Sequence, residues 1–292
     1  DNSIRVLNVD ANGATLEDVR VTAGGSEGLR FGRATFPTTA ADMVMRRCTV
    51  DRSGGSGAHV GPGGLGRRIR VLDCVFRGNG GTGLHANATS YGSIAIDRCW
   101  TVDNGGDGLR VTTGDYGVPI SNVVSARNGG RGIFLRFVGS EGFAALNFEH
   151  CTVVFNAGFA LETHCASCAV SFSSLSHSIA RGINGGLEPF SNGGTSAFQP
   201  SAWNSLVQGV PGADADPRFR DAAGGDYRLL PDSPAIDRAP PPGGAPFAEQ
   251  PFDARRQYRA YDIAGVGTVG EIAALGALEF TGALGRHDEC SA

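Results

Sequence analysis

The chain has no lysine: all 25 of its basic residues are arginine. A lysine Schiff base and a catalytic lysine amine are therefore excluded, and any cationic chemistry rests on planar guanidinium forks. No apolar run is long enough to span a membrane as a helix, and no leader or lipidation motif is visible. Membrane insertion is not expected. There is no stretch with a sustained helical period and no dense acidic cluster of the kind that gathers calcium. The net charge of −4 offers no basic surface for nucleic acid.

What the chain has is a repeat. Seven copies of about 25 residues follow one another, most of them ending in a turn of the form Asn-Gly-Gly-x-Gly. Cys74 to Leu84 reads CVFRGNGGTGL, Cys99 to Leu109 reads CWTVDNGGDGL, Val123 to Ile133 reads VVSARNGGRGI and Cys151 to Leu161 reads CTVVFNAGFAL. Cys48 to Ala58 and Val19 to Leu29 are looser copies, and a seventh near Leu175 keeps the strand but loses the turn. Upstream of each Cys/Val position stand two apolar residues with period two: Ala14/Leu16, Met43/Met45, Ile69/Val71, Ile94/Ile96, Val118/Ile120, Leu146/Phe148 and Val170/Phe172. Period two means a strand with one face inward. The residues after each turn alternate as well, as in Leu109-Arg110-Val111-Thr112.

Two or three short strands per unit and no helix predict one coil of a parallel β-helix, in which each coil buries its core only by stacking on its neighbours. Leucine-rich repeats share this period, but their Leu-x-x-Leu-x-Leu signature is absent. The expectation is an all-β, single-stranded right-handed parallel β-helix of about seven to eight coils. Residues 1–185 form the coils, and residues 186–292 form the last coil or coils and a loop-rich Gly/Pro cap. Asn79, Asn104, Asn128 and Asn156 recur at one turn position, so their amides are expected to hydrogen-bond along the stack. Asparagine is also expected to supply the left-handed backbone of the turn, with the glycines supplying the rest. No helix follows the Gly-rich turns, so they are not dinucleotide fingerprints.

Cys48, Cys74, Cys99 and Cys151 fall in one inward column and read as buried thiols. Cys165 and Cys168 lie close in His164-Cys165-Ala166-Ser167-Cys168; a local disulfide or two free thiols is favoured over zinc, which wants four ligands, and Cys290 can pair with either. No metal site is expected. Ile4, Val6 and Val9 already look like strand residues with nothing to cap the first coil. Either Asp1 marks a processing boundary, as after a removed leader, or a partner or second copy covers this end.

Near the C-terminus come Asp216-Pro217-Arg218-Phe219, Asp226-Tyr227-Arg228-Leu229, Ser233-Pro234-Ala235-Ile236-Asp237 and Gly276-Ala277-Leu278-Glu279-Phe280. This order resembles the C-terminal region of secreted bacterial right-handed parallel β-helix proteins of the choice-of-anchor type, within the pectate-lyase-like superfold. The resemblance implies an extracellular or cell-surface home. It implies no particular activity. The Asp/Ser/Pro elements themselves read as tight turns closing the last coil.

Function is expected on the outer face of the strand after each turn. One column there holds Arg30, His59, His85, Arg110, Phe134 and Glu162; a second holds Asn87, Thr112, Arg136 and His164; the turn adds Asp107, Arg131 and Phe159. Guanidinium forks suit carboxylate or sulfate, and aromatic rings suit sugars. The first expectation is a non-catalytic, glycan-binding or structural module, with Arg30, His59, Arg131, Phe134, Arg136 and Phe159 as contact residues and a polysaccharide as partner. The alternative is a carbohydrate-active enzyme using His85, Asp107, Arg110, Glu162 and His164. In a lyase, Arg110 or Arg136 neutralises a uronate and His85 or His164 takes the α-proton, with Ca2+ as the one cofactor such chemistry would add. A hydrolase is less favoured. Polygalacturonase-type enzymes resemble this layout but carry a carboxylate cluster of which only Asp107 has a counterpart, and Asp107 and Glu162 lie two coils apart. End-to-end assembly through the open N-terminal coil is a third reading.

Overall fold

The computed structural model describes residues 7–9, 13–22, 25–32, 42–61, 68–88, 93–114, 118–138, 143–165, 170–185, 191–192, 201–236, 253–255 and 276. The element order is a three-strand unit repeated eight times, so that three parallel sheets of eight strands each run the length of the solenoid. The first sheet contains Leu7–Val9, Leu29–Phe31, Ala58–Val60, Leu84–Ala88, Leu109–Thr113, Ile133–Phe137, Leu161–Cys165 and Ser191–Asn192. The second runs from Thr15–Glu17 to Ser201–Trp203, and the third from Arg20–Thr22 to Leu206–Val207. Among the described residues there is no helix, and so none long and apolar enough to cross a membrane.

Inward side chains from all three sheets meet in one continuous core, in which Leu29, Met45, Cys74, Leu84, Ile96, Leu109 and Leu135 are fully enclosed. Cys48, Cys74, Cys99 and Cys151 are buried within it. Burial holds the Cys74 thiol well above its ordinary pKa, so it packs as a small apolar group. Ser178 and Ser205 extend this column: their hydroxyls accept from the backbone N–H of Cys151 and Ser178 at 3.0 and 3.1 Å.

The asparagine ladder forms as expected. Nδ2 of Asn79, Asn104 and Asn128 donates to Oδ1 of the next asparagine at 2.9, 2.9 and 2.8 Å. Each Nδ2 also reaches a carbonyl one coil back, on Val50, Phe76 and Thr101. The backbone is a correction. The left-handed residue is the one before the asparagine: Arg52 precedes Ser53 at that position, followed by Gly78, Asp103, Arg127 and Phe155 in the later coils. The asparagines themselves point inward and are buried. The last glycine of the turn is needed for clearance instead. A Cβ on Gly108 would stand 2.5 Å from Asn128 Nδ2 and 2.2 Å from Ser125 Oγ. Asparagine and glycine are thus one device: the amide of one coil occupies the space where its neighbour's glycine has no side chain.

Two further expectations shift. Phe148 pairs with Leu175 and Leu146 with Ser173. The seventh apolar pair therefore begins three residues later than Val170/Phe172, and Ser178 rather than Leu175 holds the Cys/Val position. The segment expected to close the last coil lies along the side of the solenoid. Tyr227, Leu229, Ala235 and Ile236 pack with Val102, Val124, Val154, Ile179 and Leu206 on the outer face of the third sheet. The reason is compositional: that face is apolar in the later coils and has to be covered. The expectations on Ile4, Val6, Cys168, Cys290 and residues 277–280 fall outside the described residues, as does the side chain of Cys165.

Candidate functional site

Strand alternation creates the site. In the first sheet Leu84, Leu109, Ile133 and Leu161 point inward and are buried, so the residues after them point out. The register confirms the column: Arg30 pairs with His59, His59 with His85, His85 with Arg110, Arg110 with Phe134 and Phe134 with Glu162. The second column follows, with Asn87 opposite Thr112, Thr112 opposite Arg136 and Arg136 opposite His164. Neighbours along each column are about 4.8 Å apart, the spacing of a β-ladder.

Arg131, in the turn beside the sheet, is the hub. Its Nε lies 2.9 Å and its Nη2 3.2 Å from Asp107, whose Oδ1 also accepts the Arg131 backbone N–H at 3.0 Å. Its Nη1 donates to Glu162 at 2.6 Å. Burial works against the charge on Arg131, but the bonds to Asp107 and Glu162 outweigh it and raise its pKa. The guanidinium carbon stands 3.7 Å from the centre of the Phe134 ring, and that of Arg110 stands 5.2 Å away. Asp107 and Glu162 are therefore bound by one arginine, and the Phe134 ring is faced by two.

The other end of the patch is built on imidazoles. The rings of His59 and His85 stack at 4.6 Å, 27° apart. Burial, followed by the positive charges of His59 and Arg110, holds the His85 imidazole down to about 4. His85 is neutral at physiological pH, and its Nε2 lies 3.4 Å from Thr112 Oγ1. Glu27 closes this end, 3.3 Å from Arg30 and 3.7 Å from His59.

Residues 5–175 match the family of the right-handed beta helix region. The chain belongs to this family. Its right-handed β-helix is similar to the crystal structure of pectate lyase Pel9A at a TM-score of 0.49 and 13% identity, over 89% of this chain and 69% of that one. No curated protein matches the chain.

In this β-helix, Arg30, His59, His85, Arg110, Phe134, Glu162, Arg136 and His164 share one outer face, with Asp107, Arg131 and Phe159 on the adjoining turns. The sequence reading missed Glu27 and the bridging role of Arg131. Glu27 is legible by the same rule, because it stands two residues before Leu29 as Asp107 stands two before Leu109, and so begins the same turn column. The Arg131 bridge was findable, because Asp107 and Arg131 occupy the same turn position in consecutive coils.

Proposed function

We propose that the outer face of the first sheet binds an extended anionic polysaccharide, and that the protein is an extracellular or cell-surface glycan-binding module. One observation carries this reading. Among the described residues, no carboxylate lies within ion-pair distance of Arg110 or Arg136, and Nε of Arg110 is buried with no hydrogen-bond partner. Two cations are thus available on a flat face beside Phe134, and carboxylate or sulfate groups fit guanidinium forks. The carboxylates that a hydrolase would need are instead both committed to Arg131. The proposed location follows from the ligand, since uronate and sulfated polymers lie outside the cell.

A second reading rests on His85. A neutral imidazole in register with Arg110 can take the α-proton of a uronate whose carboxylate Arg110 holds. The proton passes to the imidazole, its electron pair forms the new carbon–carbon double bond, and the glycosidic oxygen departs with a proton from solvent.

The test is incubation with a panel of polyuronates and sulfated glycans, with and without calcium, scored by affinity electrophoresis and product mass spectrometry. Retarded but intact polymer supports a binding module. Unsaturated products favour the lyase. No binding at all overturns both.

A further inference from the structure

Every coil turns from the second sheet to the third through a single left-handed residue. These are Asp18, Arg47, Asp73, Arg98, Asn122, His150, His177 and Asn204, with φ between 43° and 56°. Since each occupies the same corner, they form a column. In the early coils the column alternates in charge: Arg47 Nε binds Asp18 at 2.6 Å and Arg98 Nε binds Asp73 at 2.6 Å. Further along it becomes two consecutive histidines. Their rings stack at 5.1 Å, 28° apart, and both are buried, with 2% and 4% of their surface exposed. Glu149, adjacent in the chain to His150, places Oε1 3.8 Å from His177 Nδ1. One donor atom from each of the three residues lies within 4.8 Å of the other two. The backbone alone does not call for imidazole here, because asparagine serves the same conformation in the coils on either side, at Asn122 and Asn204.

We propose that Glu149, His150 and His177 form a binding site for a divalent transition-metal ion, with Zn2+ the best fit. Two imidazole nitrogens and one carboxylate oxygen make a three-ligand zinc set, which leaves a fourth position for water. Calcium and magnesium prefer all-oxygen sets and are disfavoured. With bonds of ~2.0–2.1 Å, tetrahedral donors stand roughly 3.4 Å apart, a contraction within reach of side-chain torsions at this corner. The site joins the sixth and seventh coils. Beside it, Gly276 N–H donates to the His177 carbonyl at 2.8 Å. The bound ion therefore acts as a staple between coils. The site is away from the glycan face, and the proposal does not depend on that reading.

The experiment uses the full chain, stripped with a chelator and titrated with ZnCl2 by calorimetry, with metal content measured after dialysis. About one equivalent of zinc and a rise in melting temperature of roughly 5 °C are expected. Cobalt substitution should give a spectrum without a thiolate charge-transfer band. His150→Asn and His177→Asn keep a residue type that the column already uses in this conformation, and each should weaken zinc binding at least ~10-fold. His59→Asn, in the other stacked pair, should leave it unchanged. Glu149→Gln, at the half-exposed edge of the site, should weaken it as well and decides the matter if the histidine variants do not fold. Retention of substantially less than one equivalent, unchanged affinity in the corner variants, or a thiolate band would each overturn the proposal.

Discussion

Arg131 and Asp107, one coil apart, are joined by three hydrogen bonds at 2.9, 3.0 and 3.2 Å, two from the guanidinium and one from the backbone. Asp107 is buried, so its carboxylate depends on this partner for solvation. Arg131→Ala leaves a buried charge with one backbone donor. It should cost about 2–3 kcal/mol in urea denaturation, and Asp107→Asn in the same background should recover part of that loss. A loss below ~0.5 kcal/mol would show that water replaces the guanidinium freely.

Arg110 and Arg136, which have no carboxylate partner among the described residues, make a separable prediction. Arg110→Ala and Arg136→Ala should each reduce affinity for a polyuronate about tenfold, with little effect on stability. Salt should weaken wild-type binding more than it weakens binding by the double variant, since screening acts on the charges that are removed. Equal affinity in wild type and double variant, measured by calorimetry, would exclude this face.

His85 gives the fold a pH dependence. Its pKa falls from 6.5 to about 4 on folding, chiefly through burial and then through His59 and Arg110. The unfolded chain therefore binds more protons between these values. Stability is complete above pH 6.5 and declines as pH falls toward 4. His85→Gln should flatten this part of the melting-temperature profile. An NMR titration of the imidazole with a midpoint near 6.5 would contradict the burial described for it.

Asn104 lies inside the ladder and uses all four of its hydrogen-bonding positions: Nδ2 donates to Phe76 O and Asn128 Oδ1, and Oδ1 accepts from the backbone and side-chain amides of Asn79. Asn104→Ala strands partners on both sides and should cost about 3 kcal/mol. Gly108→Ala removes clearance at the same level and should be comparably harmful. Chemical denaturation of the two single variants checks both.

Tyr227 pins the C-terminal segment to the third sheet. It is buried, its hydroxyl accepts from Arg127 Nη1 at 2.5 Å, and its ring packs against Phe155 and Phe219. Tyr227→Ala should cost about 3–5 kcal/mol and open residues 214–236 to limited proteolysis before the coils unfold. Tyr227→Phe should cost only about 1 kcal/mol.

Much of this was legible in one dimension. The Asn-Gly-Gly-x-Gly turn and the period-two pairs give the coil, and the coil period gives the columns, since residues at equivalent positions in consecutive coils must become ladder neighbours. That is why the sequence alone places Arg30, His59, His85, Arg110, Phe134 and Glu162 on one face. The seventh apolar pair is not legible in the same way because its turn lacks the marker: Gly182 pairs with Asn156, where the ladder would need another asparagine. The left-handed position is not legible in the repeat either. Asparagine tolerates that conformation in general, but here its side chain is needed in the interior.

By itself, then, the sequence determined the repeat, the parallel β-helix and the outward columns, because each depends only on local periodicity and on stacking at a fixed interval. Tertiary structure decided the rest. It put one guanidinium between two carboxylates, laid the 219–236 segment along the third sheet, and brought His150 and His177 together with Glu149 at a buried corner. These outcomes turn on side-chain reach and on which exposed apolar face a distant segment covers, and neither is encoded in a period.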